Sequence, residues 1–539
     1  MAAPASRASD DLPPLELISD GADIPAMGSE IEIDGSSLTI DDVHRVAAGA
    51  PVKLADGVPR RMRRARSTVD AVVQRGEVVY GITTGFGKLS DIAIPADRLA
   101  ELQVNLVRSH SAGVGALLPE RVVRAMMLLR TNVLAKGYSG ARVELAELLV
   151  GMLNAGLYPP VPEHGSVGAS GDLAPLARLA LAMVGEGTLL RRAANGATPH
   201  EGEAGGLLRD AGLAPVRLAP KEGITLINGT QAHAAIAALC IVDAHQLWQT
   251  AHVAGAMTLE ALLGTPVAFD ARIQEARGQL GQAASAALLR ALLADSEIRE
   301  SHRVDDPRVQ DPYSLRCMPQ VHGPVLDAID FAATLIGREI NAATDNPLVF
   351  DDGAILSGGN FHGQVGSMAL DLLAIALTNL ATMSERRIDR LVHPDLNEGL
   401  PPFLTTDPGV SSGFMMAQVT AAALASACKV LAHPASVDTI PTDGSKEDVV
   451  PMAMGAAWKL QRVIDNVRHV LAIELMCAAQ GVEYRAPLAP GRGVARALAT
   501  VREFVPPLGR DRVLTPDIER LAAAIAGGRF ASVAPQEEA

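Results

Sequence analysis

The sequence predicts a mainly α protein: a large bundle of long helices, with a smaller mixed N-terminal region carrying two glycine-rich loops. Three observations carry this. Aromatic residues make up only 3% of the 539 residues while hydrophobic residues make up 48%, so the core is filled by aliphatic side chains, many of them Ala and Leu, which favour helix over strand. From Asn228 onward, several apolar stretches run past 20 residues, longer than the usual globular helix. The segments Val79–Asp91 and Tyr158–Asp172 are glycine-rich and lack any period, as loops do.

In chain order, the first 28 residues are rich in Ala, Pro, Ser and Asp and read as a disordered tail. They lack the basic stretch and apolar core of a signal peptide. A region over 29–227 follows, with a strand at Glu30–Ile33, a helix from Asp41, and helices over 57–77, 96–108, 118–135 and 141–155. Residues 190–222, with Gly, Pro and charge, predict a surface hairpin or linker. A central bundle over 228–480 is expected from helices at 229–264, 269–293, 319–343, 362–392, 412–432 and 452–480. Helices at 491–505 and 515–527 then fall in a C-terminal region, 481–539. Long helices at this density commonly complete their packing by self-association.

Composition also excludes. A net charge of −14 argues against non-specific binding to nucleic acid or anionic membranes. The basic run Arg60–Arg66 reads as the solvated face of an early helix. Val365–Met383 is long and apolar, but Asp371 interrupts it and Ser384-Glu385-Arg386-Arg387 continues it in helical style, so a buried bundle helix is expected rather than a membrane span. Cys240, Cys317, Cys428 and Cys477 are widely spaced, which fits a reducing cytoplasm without disulfides. No spacing of His, Cys, Asp and Glu suggests a metal site.

The first glycine-rich loop, Tyr80-Gly81-Ile82-Thr83-Thr84-Gly85-Phe86-Gly87, has neither a G-K-[ST] nor a strand–helix G-x-G-x-x-G context, so phosphate binding is disfavoured. A mobile segment carrying a titratable tyrosine suits it better. In the second, small residues at Gly168-Ala169-Ser170-Gly171 let the backbone fold on itself. In such a turn the Gly171 amide nitrogen can attack the Ala169 carbonyl carbon. Loss of that water and of a second from Ser170 leaves 4-methylidene-imidazol-5-one (MIO), an electrophile no standard side chain supplies.

Ala-Ser-Gly alone is a common turn. The longer string Gly168-Ala169-Ser170-Gly171-Asp172-Leu173-Ala174-Pro175-Leu176-Ala177 resembles the prosthetic-group motif of the histidine and phenylalanine ammonia-lyase family. Matching strings follow in order: Tyr80–Gly87, Ser109-His110-Ser111-Ala112-Gly113, Asn228-Gly229-Thr230-Gln231, Gln310–Cys317, Asn346-Pro347, Gly359-Asn360-Phe361-His362 and Ser412-Gly413-Phe414-Met415. The resemblance implies the fumarase/aspartase-like fold, a homotetramer, an amino-acid substrate and an MIO group with no external cofactor.

It also implies roles. Tyr80 would remove the β-proton, which requires surroundings that lower its pKa. Tyr313 would donate or relay a proton. Arg316 would clamp the substrate carboxylate with its two-pronged guanidinium. Asn228 would lie near the prosthetic group, Gln310 would line the site and Phe361 would shield the ring. Taken singly, Arg316 reads better as a salt-bridge arginine and Asn228 as a helix N-cap; the ordered set of matching strings reverses that. For the substrate, His110 in a Ser-His pair and Glu447 stand where histidine-type members contact an imidazole. Lys446 and Val449 depart from that type. A tyrosine or phenylalanine lyase, or an aromatic aminomutase using the same group, therefore stays open beside histidine.

Overall fold

The computed structural model describes residues 30–193 and 198–533; the expected N-terminal tail lies outside them. Helices dominate the described residues, and the strands are short, forming three two-stranded pairs and one three-stranded antiparallel sheet of Leu157–Tyr158, Thr188–Arg191 and His200–Glu203. Ile31–Ile33 pairs in parallel with Val52–Leu54, and Val114–Leu117 pairs antiparallel with Pro162–His164. The 190–222 stretch holds the antiparallel pair Thr188–Arg191 and His200–Glu203, then a short helix at Ala204–Asp210.

Five long helices form the body: α1 (Gln231–Ala261), α2 (Met318–Glu339), α3 (Gln364–Val392), α4 (Met415–Leu431) and α5 (Ala453–Glu483). Every residue from Gln231 to Ile241 is buried, the all-round apolar surface of a helix in the middle of a bundle. The last third of α5 is buried in the same way.

Polar contacts fix the directions. Thr230 donates to Glu339 at 2.6 Å, and Trp248 Nε1 donates to the His322 carbonyl at 2.8 Å, so α2 runs antiparallel to α1. Near the other end of α1, Thr258 donates to Glu474 at 2.8 Å. Arg387 forms a fully buried two-pronged pair with the same Glu474, which Ser384 also serves as donor. Helices α1, α3 and α5 therefore run side by side in one direction. Full hydrogen bonding of that carboxylate is what makes burying the pair tolerable.

The apolar segment around 365–383 is α3, packed between α5 and α2. Its Asp371 is buried against Lys459 at 3.0 Å and the Ser436 amide at 2.7 Å. Two expectations need correction. The 269–293 helix is broken into Ala271–Arg277 and Leu280–Leu292 by Gly278, which adopts a left-handed φ of 74°. The basic run is not wholly solvated: Arg66 is buried, donating to Asp70 and to the carbonyls of Gly140 and Pro220.

Candidate active site

The second glycine-rich loop closes back on itself as expected. Its backbone pairs Gly168 with Gly171 and Ala169 with Gly171, and Gly171 pairs in turn with Gly229. Gly171 has φ 75°, and a Cβ there would stand 2.2 Å from the Gly229 carbonyl oxygen, so only glycine fits. Asp172 donates its amide to the same carbonyl at 2.7 Å.

Three helices begin at this loop. Gly229 lies just before α1. The Gly363 amide, at the head of α3, donates to the Gly168 carbonyl at 2.9 Å, and the Ala453 amide, at the head of α5, donates to that of Val167 at 3.3 Å. The positive ends of three helix dipoles thus converge on the tripeptide and favour negative charge beside it.

Asp172 exploits one of those ends. Its buried carboxylate accepts from the Ala232 amide at 3.0 Å, the His233 amide at 2.9 Å and His233 Nδ1 at 2.8 Å. The His233 imidazole and these donors hold Asp172 below the usual carboxylate range despite the opposing effect of burial.

Asn228 does not cap α1. Its Nδ2 donates to the Ser170 carbonyl at 2.7 Å, while its buried Oδ1 lacks a partner. Its own backbone carbonyl is held by Arg130 at 3.0 Å. Arg130 is fully buried, donates also to Thr225 and Gln231, and is pulled down to about 10 by burial. The Ser170 hydroxyl donates to Glu447, whose second oxygen accepts from Thr442.

The Tyr80 loop docks on the segment that carries Glu447: the Lys88 amide donates to Asp443 at 3.2 Å. The electrostatics around Tyr80 run against expectation. Burial pushes its pKa up, a hydrogen bond from the Gly87 amide opposes this, and the Asp443 and Glu447 carboxylates raise it further.

His110 ends the Leu99–His110 helix, which packs on the helix following the loop, Leu173–Met183. Its Nδ1 lies 2.9 Å from the Leu106 carbonyl. A carbonyl only accepts, so Nδ1 carries the hydrogen and neutral His110 keeps Nε2 as an acceptor. Phe361 is half-buried, two residues before Gly363.

Gln310, Tyr313 and Arg316 are not brought to this loop. Met318, two residues after Arg316, packs on Gly255, where a Cβ would stand 2.5 Å from its sulfur. Gly255 lies about 35 Å along α1 from the loop end, at 1.5 Å per residue. At that distance the Arg316 guanidinium covers the Tyr313 ring at 4.8 Å, its Nε lacks a partner, and Tyr313 is 70% exposed.

The model of the aromatic amino acid lyase family matches residues 38–503. The chain belongs to that family. Over 500 residues this lyase is 55% identical to the histidine ammonia-lyase of Anaeromyxobacter dehalogenans, covering 92% of this chain and 98% of that one. Among solved structures, it is similar to histidine ammonia-lyase from Trypanosoma cruzi, with TM-score 0.86, 41% identity and coverage of 94% and 96%. The tyrosine aminomutase of Streptomyces globisporus superposes with TM-score 0.88 at 36% identity, covering 94% and 98%.

Sequence reasoning missed several residues that build the lyase's loop. Arg130 had a signal, as a single charge within Ala125-Met126-Met127-Leu128-Leu129-Arg130-Thr131-Asn132-Val133-Leu134; a charge in an apolar helix is buried and paired, or it is costly. His233, Thr442 and Asp443 had none, because their partners lie far away in sequence.

Proposed function

We propose that this chain is a histidine ammonia-lyase, eliminating ammonia from L-histidine to give trans-urocanate, with its electrophile made from Ala169, Ser170 and Gly171. The observation that carries the reading is the tripeptide itself. Its backbone is paired across Ala169 and Gly171, it is packed so that no side chain fits at 171, and its Ser170 carbonyl is held by Asn228. Those residues fit an MIO group, which would supply an electrophile toward the substrate amine. Asn228 draws electron density toward the Ser170 oxygen. Tyr80 takes the β-proton, and Phe361 excludes water from the loop.

The substrate follows from Glu447 and His110. A carboxylate beside Ser170 and an imidazole acceptor suit a ring bearing N–H groups, and a hydrocarbon ring would leave without a partner the Glu447 oxygen that gives up the Ser170 hydroxyl when the tripeptide dehydrates, at a cost. Identity of 55% with a relative named histidine ammonia-lyase outweighs the departures at Lys446 and Val449.

The remote Arg316 cluster supports a site assembled between copies of the chain. One subunit presents the loop, and another contributes Arg316 to the substrate carboxylate, with Tyr313 and Gln310 beside it. Self-association, as a homotetramer, also covers Phe331, Met368, Ile375, Met416, Val419 and Val430, large apolar residues exposed on α2, α3 and α4. The four cysteines are free thiols, in keeping with a reducing cytoplasm.

Two measurements test the reading. Peptide mass spectrometry across residues 169–171 should show a deficit of two waters; full mass in the native protein would sink the electrophile. Separate incubation with histidine, tyrosine and phenylalanine should give a conjugated acrylate from histidine. Product from tyrosine alone would overturn the substrate, and a β-amino acid would mark an aminomutase.

A further inference from the structure

The turn at Thr442–Glu447 does more than carry Glu447. Thr442 and Glu447 close it, the Thr442 amide donating to the Glu447 carbonyl at 2.9 Å. Between them Asp443, Gly444 and Ser445 have φ of 47°, 58° and 67°, three successive left-handed residues of which only one is glycine. This unusual backbone turns the Asp443 side chain away from its own loop and onto the Tyr80 loop. One carboxylate oxygen accepts the Lys88 amide at 3.2 Å, and the other fills the space beside Gly87, 2.1 Å from where a Cβ would stand. The Gly87 backbone amide acts on Tyr80, favouring its ionised form.

We infer that Asp443 is a positioning residue for Tyr80: it anchors the Gly87–Lys88 backbone, and through the Gly87 amide it sets where the Tyr80 hydroxyl points. The same turn holds Glu447 through Thr442, so one rigid segment places the base and the ring-recognising carboxylate relative to each other. The inference rests on the reading of Tyr80 as the base. The Asp443 side chain itself bonds to the Tyr80 loop and not to the tripeptide. The charges acting on Tyr80 within this chain are those of Asp443 itself and Glu447, so the position of Asp443 carries a cost in charge that its anchoring must outweigh.

Two variants of the full-length protein separate anchoring from charge. Asp443→Asn keeps an oxygen to accept the Lys88 amide and removes the charge. It should keep kcat within about threefold of the parent and move the ascending limb of the kcat–pH profile to lower pH. Asp443→Ala removes the anchor. It should lower kcat about 100-fold, the scale of a misplaced catalytic group, with little change in KM. Amide hydrogen exchange should speed up across residues 81–92 in Asp443→Ala and not in Asp443→Asn. Both variants should retain the two-water deficit at 169–171.

An Asp443→Ala protein with parental kcat and exchange overturns the inference. So does an Asp443→Asn protein as impaired as Asp443→Ala, or loss of the mass deficit in either. If the parent protein proved inactive on every aromatic amino acid, the proposed function would fail, while the exchange comparison would still report whether Asp443 anchors the loop.

Discussion

The hydroxyl of Ser170 donates to the carboxylate of Glu447, a residue 277 positions later in the chain. The residue expected to become the electrophile and the residue expected to recognise the substrate ring are therefore immediate neighbours. A ring bound against Glu447 is bound beside the tripeptide.

Glu447→Gln should retain the two-water mass deficit, because a glutamine oxygen still accepts from Ser170. It should raise KM for histidine about 10- to 100-fold, the worth of a hydrogen bond to a charged group. It should also shift preference toward tyrosine. Steady-state kinetics on both substrates checks this, and an unchanged histidine KM would remove Glu447 from recognition.

Gly171→Ala should fold and fail to mature. The added methyl meets the Gly229 backbone and the φ of 75° is strained for alanine, so the loop must open. Mass spectrometry should find full mass at residues 169–171, with a helical circular dichroism spectrum close to the parent's. A fully dehydrated Gly171→Ala tripeptide would show that the close approach to Gly229 is dispensable.

Ser170→Ala and Arg316→Ala should each be inactive alone. Co-refolded or co-expressed, they should regain part of the parental activity, because some sites then combine an intact loop from one subunit with an intact Arg316 from another. If the mixture stays inactive while mixed oligomers form, both residues belong to one chain's site, and the 35 Å separation along α1 must collapse by rearrangement.

Stability should fall as pH rises from about 4.5 to about 7 because of Glu260. Burial lifts its pKa from 4.5 to about 7 against the Ser296 and Gly491 hydrogen bonds. The folded state thus keeps a proton that the unfolded chain has lost. Its contribution is fully present below about pH 4.5 and lost as pH climbs to about 7, a total of about 3 kcal/mol. Glu260→Gln should flatten this dependence and melt higher than the parent at pH 8. A parental melting profile across pH 5–8 in the variant would refute the assignment.

The long helices were legible because burial imposes a helical period over 20 or more residues. The expected 362–392 and 452–480 segments correspond to Gln364–Val392 and Ala453–Glu483. The break at Gly278 was less visible, since a single glycine is tolerated inside a helix and only its left-handed φ ends one. Leu173–Met183 was also not legible as a helix, because its Pro175 and the glycine-rich string before it read as loop. In the site, Ser170, Asn228 and Glu447 were legible from motif strings, and the structure brings them together. The hydrogen bonds joining them to Arg130, His233 and Thr442 were not, because a sequence records which residues occur and not which distant pairs meet. The rise in the Tyr80 pKa is of the same kind: it depends on burial and on two carboxylates more than 360 positions away.

The loop at 168–172 draws its tight shape from residues spread over most of the chain: Gly229, Gly363, Glu447 and Ala453. During synthesis from the N-terminus, the last of these leaves the ribosome long after Ser170 does. The proposed ring closure would thereby await the completion of folding, and a reactive electrophile would be withheld from a nascent chain that could not yet shield it. A chain ended before Glu447 should keep both waters at its tripeptide.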